Sequence, residues 1–148
     1  MDIKWHIRFL KLAEHIATWS KDPSTKVGAI IVDSNRIVST GYNGFPSDFI
    51  NQYSLISREE KLAKTIHAEV NAILYAKRDL TNCSIVVTAP PCANCAAVIA
   101  QTGIKEVICN EASKELAIRW KDSFRIAQDI FDFKGIKLIK YTNHHINK

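Results

Sequence analysis

Residues 84–109 read SIVVTAPPCANCAAVIAQTGIKEVIC, and the architecture turns on this stretch. Ser84 to Thr88 is a short β-rich run that ends at Pro90-Pro91, and Cys92 to Gln101 has helical spacing with Gly103 as its stop. Glu106 to Cys109 is β-rich again. A strand, a crossover helix and a second strand predict a parallel, right-handed unit. The pattern continues downstream: Ser113 to Phe131 predicts one long helix, Gly135 a break, and Ile136 to Tyr141 a further strand. The tail from Thr142 is polar and predicted to fray.

Upstream, Ile3 to Trp19 sets Trp5, Phe9, Leu12, Ala13, Ile16 and Trp19 at helical intervals, with Lys4, Arg8, Lys11 and Glu14 between them. This predicts an amphipathic helix whose aromatic residues belong to the core stripe. Asp22-Pro23 breaks that pattern, after which Val27 to Asp33 and Arg36 to Thr40 predict a hairpin turning at Asp33 to Asn35. Gly41, Asn43, Gly44 and Pro46 predict a tight turn with positive φ, and a loop runs on to about Ile56. From Ser57 the spacing is helical, either continuous or interrupted before His67 to Arg78. Helix, strand, strand, helix, strand, helix, strand, helix, strand is the order of a three-layer α/β/α domain. No repeat, linker or low-complexity run divides residues 1–148, which predicts one domain.

With 47% hydrophobic and 24% charged residues in 148, the chain has average globular composition, which excludes disordered and fibrous classes. Twenty Lys and Arg against fifteen Asp and Glu leave a formal charge of +5. That balance suits a nucleotide phosphate, RNA or a solvated basic surface. The charges are spread along the chain, without the cluster that a nucleic-acid backbone requires. Asp2, Lys4, His6 and Arg8 interrupt the start, so it does not read as a signal peptide. The apolar runs, such as Val27 to Val32 and Ala96 to Ala100, are too short for a bilayer. The expectation is a soluble, cytoplasmic protein without membrane partners, whose four cysteines serve metal or redox chemistry before disulfides.

Two stretches carry that chemistry: Thr65 to Ala72, TIHAEVNA, and Ala89 to Ala96, APPCANCA. Alone, the Cys-x-x-Cys fits a redox pair, half of a structural zinc site, or incidental core cysteines. A four-cysteine site would have to recruit Cys83 and Cys109 from in or beside predicted strands. A catalytic zinc takes three protein ligands and keeps a fourth position open, and His67, Cys92 and Cys95 supply three. Three residues apart at a helix start, the two sulfurs lie on one face, where the helix amides favour thiolates. Such a metal serves hydrolysis by lowering the pKa of a water in the open position. Glu69, two residues after His67, reaches that position without ligating and is the candidate proton carrier. H-x-E paired with P-C-x-x-C is the signature of zinc nucleobase deaminases.

Over most of its length the chain resembles the deoxycytidylate (dCMP) deaminases of the cytidine and deoxycytidylate deaminase superfamily. The similar segments beyond the zinc residues are Ser20 to Ala29 (SKDPSTKVGA), Gly41 to Pro46 (GYNGFP) and Gln101 to Val107 (QTGIKEV). The resemblance implies a cytidine-deaminase-like fold with a five-stranded mixed sheet, deamination of dCMP to dUMP, and a homo-oligomer. It implies one Zn2+ per subunit on His67, Cys92 and Cys95, with Glu69 as proton shuttle. It makes Asn43 a contact to deoxyribose or base, and Ser24 and Lys26 candidates for the 5′-phosphate; from the residues alone, Lys26 and Lys21 read equally as surface lysines. A dCTP or dTTP effector, with Mg2+, is implied near Lys21, Asp22 and Gly44. Cys83 and Cys109 lack a histidine partner set for a second zinc and are expected to be buried as small hydrophobes. His6 and His15 are expected to pack on the first helix or face solvent, and His144 and His145 to belong to the polar tail. The rival functions are a cytidine or CMP deaminase, a tRNA adenosine deaminase, and a non-catalytic zinc module that would have no use for Glu69.

Overall fold

Alternation along the strands divides the core into two layers of contact. Residues 1–47, 53 and 56–142 are described in the computed structural model, and the tail histidines His144 and His145 lie outside them. The elements in order are α1 (Ile3–Ala17), β1 (Gly28–Asp33), β2 (Arg36–Tyr42), α2 (Arg58–Lys64), α3 (Ala68–Ala76), β3 (Ser84–Val87), α4 (Ala93–Ala100), β4 (Glu106–Asn110), α5 (Lys114–Arg119), α6 (Lys121–Lys134) and β5 (Lys137–Tyr141). The five strands form one sheet in the order β2-β1-β3-β4-β5. β1 is antiparallel to β2 and β3, while β3, β4 and β5 are parallel, as the crossover helices require. The sheet is therefore mixed, as the resemblance implied.

On one face Ala29, Ile31, Ile85, Val87, Val107 and Cys109 pack against α3, α4 and α6 through Ala68, Ala72, Ala96, Ile99, Ala127 and Phe131. On the other, Ile30, Val32, Val86 and Ile108 meet Phe9, Leu10, Ala13 and Ile16 of α1. Central strands covered on both faces read as unbroken hydrophobic runs, which is why their β character is visible in the sequence. Among the described residues no helix is long and apolar enough to cross a membrane.

Three expectations are corrected. The segment Ser113 to Phe131 is two helices, because Trp120, at φ −107° and ψ 19°, leaves helical geometry. α5 buries no residue, whereas α6 buries Ala127 and Phe131, so the change of direction lets α6 alone follow the core. Trp19 is not part of the core stripe: α1 ends at Ala17, and Trp19 is 52% exposed beyond it, edge-on to His15 and Tyr42. Gly41 and Gly44 do not take positive φ; among glycines only Gly103 and Gly135 do. Gly41 lies within β2, where a Cβ would come 2.4 Å from the Ala68 carbonyl oxygen and 2.5 Å from the Ala72 nitrogen. The absent side chain is what lets the backbone of α3 rest on β2. Gly28 does the same for α1 on the opposite face, where a Cβ would meet the Ala13 carbonyl oxygen at 2.0 Å.

His6 is a buried polar group of the α1 face. Its Nδ1 lies 2.7 Å from the Tyr141 hydroxyl, and its Nε2 is buried with no partner. Burial lowers the pKa of this ring, against the opposing pull of the Glu106 carboxylate. The unfolded chain then takes up a proton that the folded one resists as pH falls through about 6.5. Stability contributed by neutral His6 is thus present above that pH and lost below it. Denaturant unfolding at pH 7.5, 6 and 5 should show this decline, and His6→Gln should flatten it. Gly41→Ala should lower the unfolding free energy by about 1–3 kcal/mol, the usual cost of overpacking, in the same assay.

Candidate active site

Two helix starts build the site. Ile66 and Gly44 exchange backbone hydrogen bonds, Gly44 N–H to Ile66 O at 3.1 Å and Ile66 N–H to Gly44 O at 2.8 Å. This bridge keeps the chain extended between α2 and α3, so that His67 is the N-cap of α3 and Glu69 lies in its first turn. Pro90 and Pro91 hold the approach to α4 extended, and Cys92 becomes its N-cap with Cys95 in the first turn.

His67 Nδ1 lies 3.3 Å from Cys95 Sγ and 3.6 Å from Cys92 Sγ. All three ligand atoms fall within 4.8 Å of one another, and no other such trio converges among the described residues. A tetrahedral zinc with ordinary Zn–S and Zn–N bonds sets sulfur and nitrogen about 3.6 Å apart. The donor set and its spacing therefore fit zinc, with a fourth position left for a small molecule. Cys83 and Cys109 are fully buried elsewhere in the core, as expected, and burial pushes the Cys109 thiol up to about 12.

The electrostatics separate the two ligand cysteines. The neighbouring Cys95 thiol, then the His67 ring and the Cys95 backbone amide, outweigh burial and bring Cys92 down to about 4. Cys95 is pushed the other way, first because Cys92 takes its S–H and then by burial. The hydrogen bond with Cys92 raises the His67 pKa against its burial. Glu69, 4% exposed, has its carboxyl held above the usual range by burial, and it sits against Cys95.

The remaining candidates occupy the loops around the bridge. Asn43 is buried, its Oδ1 accepting from Val27 N–H at 2.8 Å and its Nδ2 donating to Thr25 O at 2.8 Å. Ser20 Oγ donates to the Asn43 carbonyl at 2.8 Å, so residues 20–27 are laced to the segment that carries Gly44. The buried Asp22 carboxylate pairs with Lys61 Nζ at 2.8 Å and accepts from the Ser24 and Thr25 amides. Burial alone would raise the Asp22 pKa, but Lys61 and those amides overcome it, and the net shift is downward. Ser24 Oγ accepts from Lys61 Nζ at 3.2 Å, and Lys26 Nζ donates to the Ser20 carbonyl. Lys21 is exposed.

Asn43 and Gly44 thus adjoin the His67 end of the site, while Ser24 and Asp22 gather around Lys61. Sequence reading missed Lys61, which looks like any lysine of an amphipathic helix until Asp22 is placed beside it. It also missed Ser123 of α6, whose Oγ accepts from the Ala93 N–H of α4 at 2.9 Å.

Residues 3–111 match the family model of the cytidine and deoxycytidylate deaminase zinc-binding region. An uncharacterized deaminase in the luxG 3′ region of Aliivibrio fischeri is 50% identical over 135 residues, covering 91% of this chain and 92% of that protein. The deoxycytidylate deaminase of Mus musculus is 36% identical over 150 residues, covering 95% and 81%. Among solved structures, dCMP deaminase from the cyanophage S-TIM5 in complex with dCMP and dUMP has a TM-score of 0.74 and 26% identity, covering 95% of this chain and 99% of that one.

Because the ligands come from the starts of two helices, metal binding should stabilise the fold. Free zinc at a hundred times its Kd should add about 2.7 kcal/mol. Thermal unfolding with and without a chelator should reveal this gain, and Cys92→Ala should abolish it.

Proposed function

The chain belongs to the cytidine and deoxycytidylate deaminase zinc-binding family, and from that premise we propose that it hydrolyses dCMP to dUMP and ammonia. The observation that carries the chemistry is a buried carboxyl, Glu69, beside three convergent ligand atoms of His67, Cys92 and Cys95. The choice of dCMP is supported by relatives named deoxycytidylate deaminase at 30–42% identity, and by the dCMP and dUMP complex of the similar phage enzyme.

His67, Cys92 and Cys95 would hold the metal, which when bound supplies a water acidified towards neutrality. Glu69 then has the proton work. A carboxyl held above its usual range by burial can take the first proton of the water and deliver it to the ring nitrogen of cytosine, then take the second from the hydroxyl added to the ring carbon and deliver it to the departing amine. One water is consumed and one ammonia leaves, so the carboxyl ends as it began. Asn43, fixed at the bridge beside His67, would meet the deoxyribose or base. Ser24 and Lys26 would hold the 5′-phosphate, and the +5 charge of the chain favours such an anion. Lys21, Asp22 and Gly44 would form the part of these loops that answers to a dCTP or dTTP effector with Mg2+, in a homo-oligomer.

Ammonia release from dCMP, CMP, deoxycytidine and dCTP, compared side by side, tests the reading. Release should be fastest from dCMP, and Glu69→Gln should lower kcat by about 10²–10⁴ while zinc stays at one per chain. Zinc-loaded protein that releases no ammonia from any of the four would sink the nucleotide assignment. Unchanged turnover in Glu69→Gln would remove the proton role.

A further inference from the structure

We propose that Ser123 is a positioning residue for the metal centre: from α6, its hydroxyl holds the first turn of α4, and so sets Cys92 and Cys95 relative to each other. The proposal rests on the metal-centre reading above and is independent of the substrate.

The first amides of any helix lack intrahelical acceptors. An N-cap residue with a side-chain oxygen ordinarily satisfies one of them. In α4 the N-cap is Cys92, whose sulfur faces His67 and lies against the Cys95 amide. An N-cap side chain serves the second or third amide of a helix, so the first, that of Ala93, needs an acceptor from outside. Ser123 supplies it, accepting from Ala93 N–H at 2.9 Å across thirty residues of sequence.

The location of that bond matters as much as its existence. Cys92 is extended, at φ −72° and ψ 171°, while Cys95 is already helical. Ala93 lies at the joint between the two conformations, so fixing its amide fixes the angle at which the sulfurs converge. α6 is in turn anchored against α4 by Ala127 and Phe131, which share a core with Ala96 and Ile99. The break at Trp120 starts α6 three residues before Ser123 and brings the hydroxyl to the α4 terminus. Residues that orient ligands from behind in this way commonly change metal affinity by 10- to 100-fold when removed.

The test uses the full chain with Ser123→Ala, Ser123→Thr and Asp129→Gly. Zinc affinity is measured by competition with a chromogenic chelator, ligand geometry by the sulfur-to-cobalt charge-transfer band of the Co2+-loaded protein, and stability by denaturant unfolding of the metal-free form. Ser123→Ala should bind zinc about tenfold more weakly with an altered cobalt band, and Ser123→Thr should restore both. Asp129→Gly, which weakens α6 from its exposed face without touching α4, should unfold more easily yet keep parental affinity. Parental affinity and band in Ser123→Ala would overturn the proposal, as would an equal loss of affinity in Asp129→Gly. A parent protein that binds no zinc would overturn the metal centre itself, and is seen before any variant is made.

Discussion

The N-termini of α3 and α4 have to meet closely enough for one imidazole nitrogen and two sulfurs to stand 3.3 and 3.6 Å apart. This requirement orders much of the rest. Both helices must lie on the same face of the sheet and close to it, which the sequence achieves by removing side chains. Gly41 has no Cβ where α3 crosses β2, and the inner contacts of the two helices are made largely by Ala68, Ala72 and Ala96. Larger residues would lift the helices and separate their first turns. The parallel connection through α4 also places the cysteine pair at the end of β3, beside the helix whose start carries His67.

Placing ligands at both N-caps has an electrostatic logic. The Cys95 thiol, then the His67 ring and the Cys95 amide at the helix start, favour the thiolate of Cys92. The same burial that brings the sulfurs together surrounds Glu69 and keeps its carboxyl easily protonated. One corner of the fold thus holds both a cysteine favoured as thiolate and a carboxyl held above its usual range. The bridge between Gly44 and Ile66 fixes the approach to α3, and the hydroxyl of Ser123 accepts from the first amide of α4.

The parts legible in the sequence are those set by local chemistry. Buried strands announce themselves by β-branched runs, and H-x-E with P-C-x-x-C is a short-range pattern because each pair shares one helix start. What was not legible depends on contacts between distant segments. Ser113 to Phe131 carries one continuous helical signal, and only the packing of α6 on α4 says where it must bend. Gly41 reads as a turn residue until the α3 backbone is found lying on it. Trp19 fits the stripe of α1 by spacing alone, but the helix ends two residues earlier. Lys61 and Ser123 act through partners 39 and 30 residues away, and nothing near them in the chain marks the pairing.

The loop of residues 20–27 shows how charge is apportioned around the site. Two lysines reach into it, and they are not equivalent. Lys61 is matched by the buried Asp22 carboxylate, so its charge is largely answered within the protein. Lys26 donates only to the neutral Ser20 carbonyl, and no carboxylate pairs with it among the described residues. A phosphate approaching the loop would therefore have to break an ion pair to use Lys61, but would only exchange one oxygen for another at Lys26. Lys61 then serves to stiffen the loop through Asp22 and Ser24. Asn43 ties this loop to the segment of the Gly44–Ile66 bridge, which leads into the start of α3, where His67 and Glu69 sit.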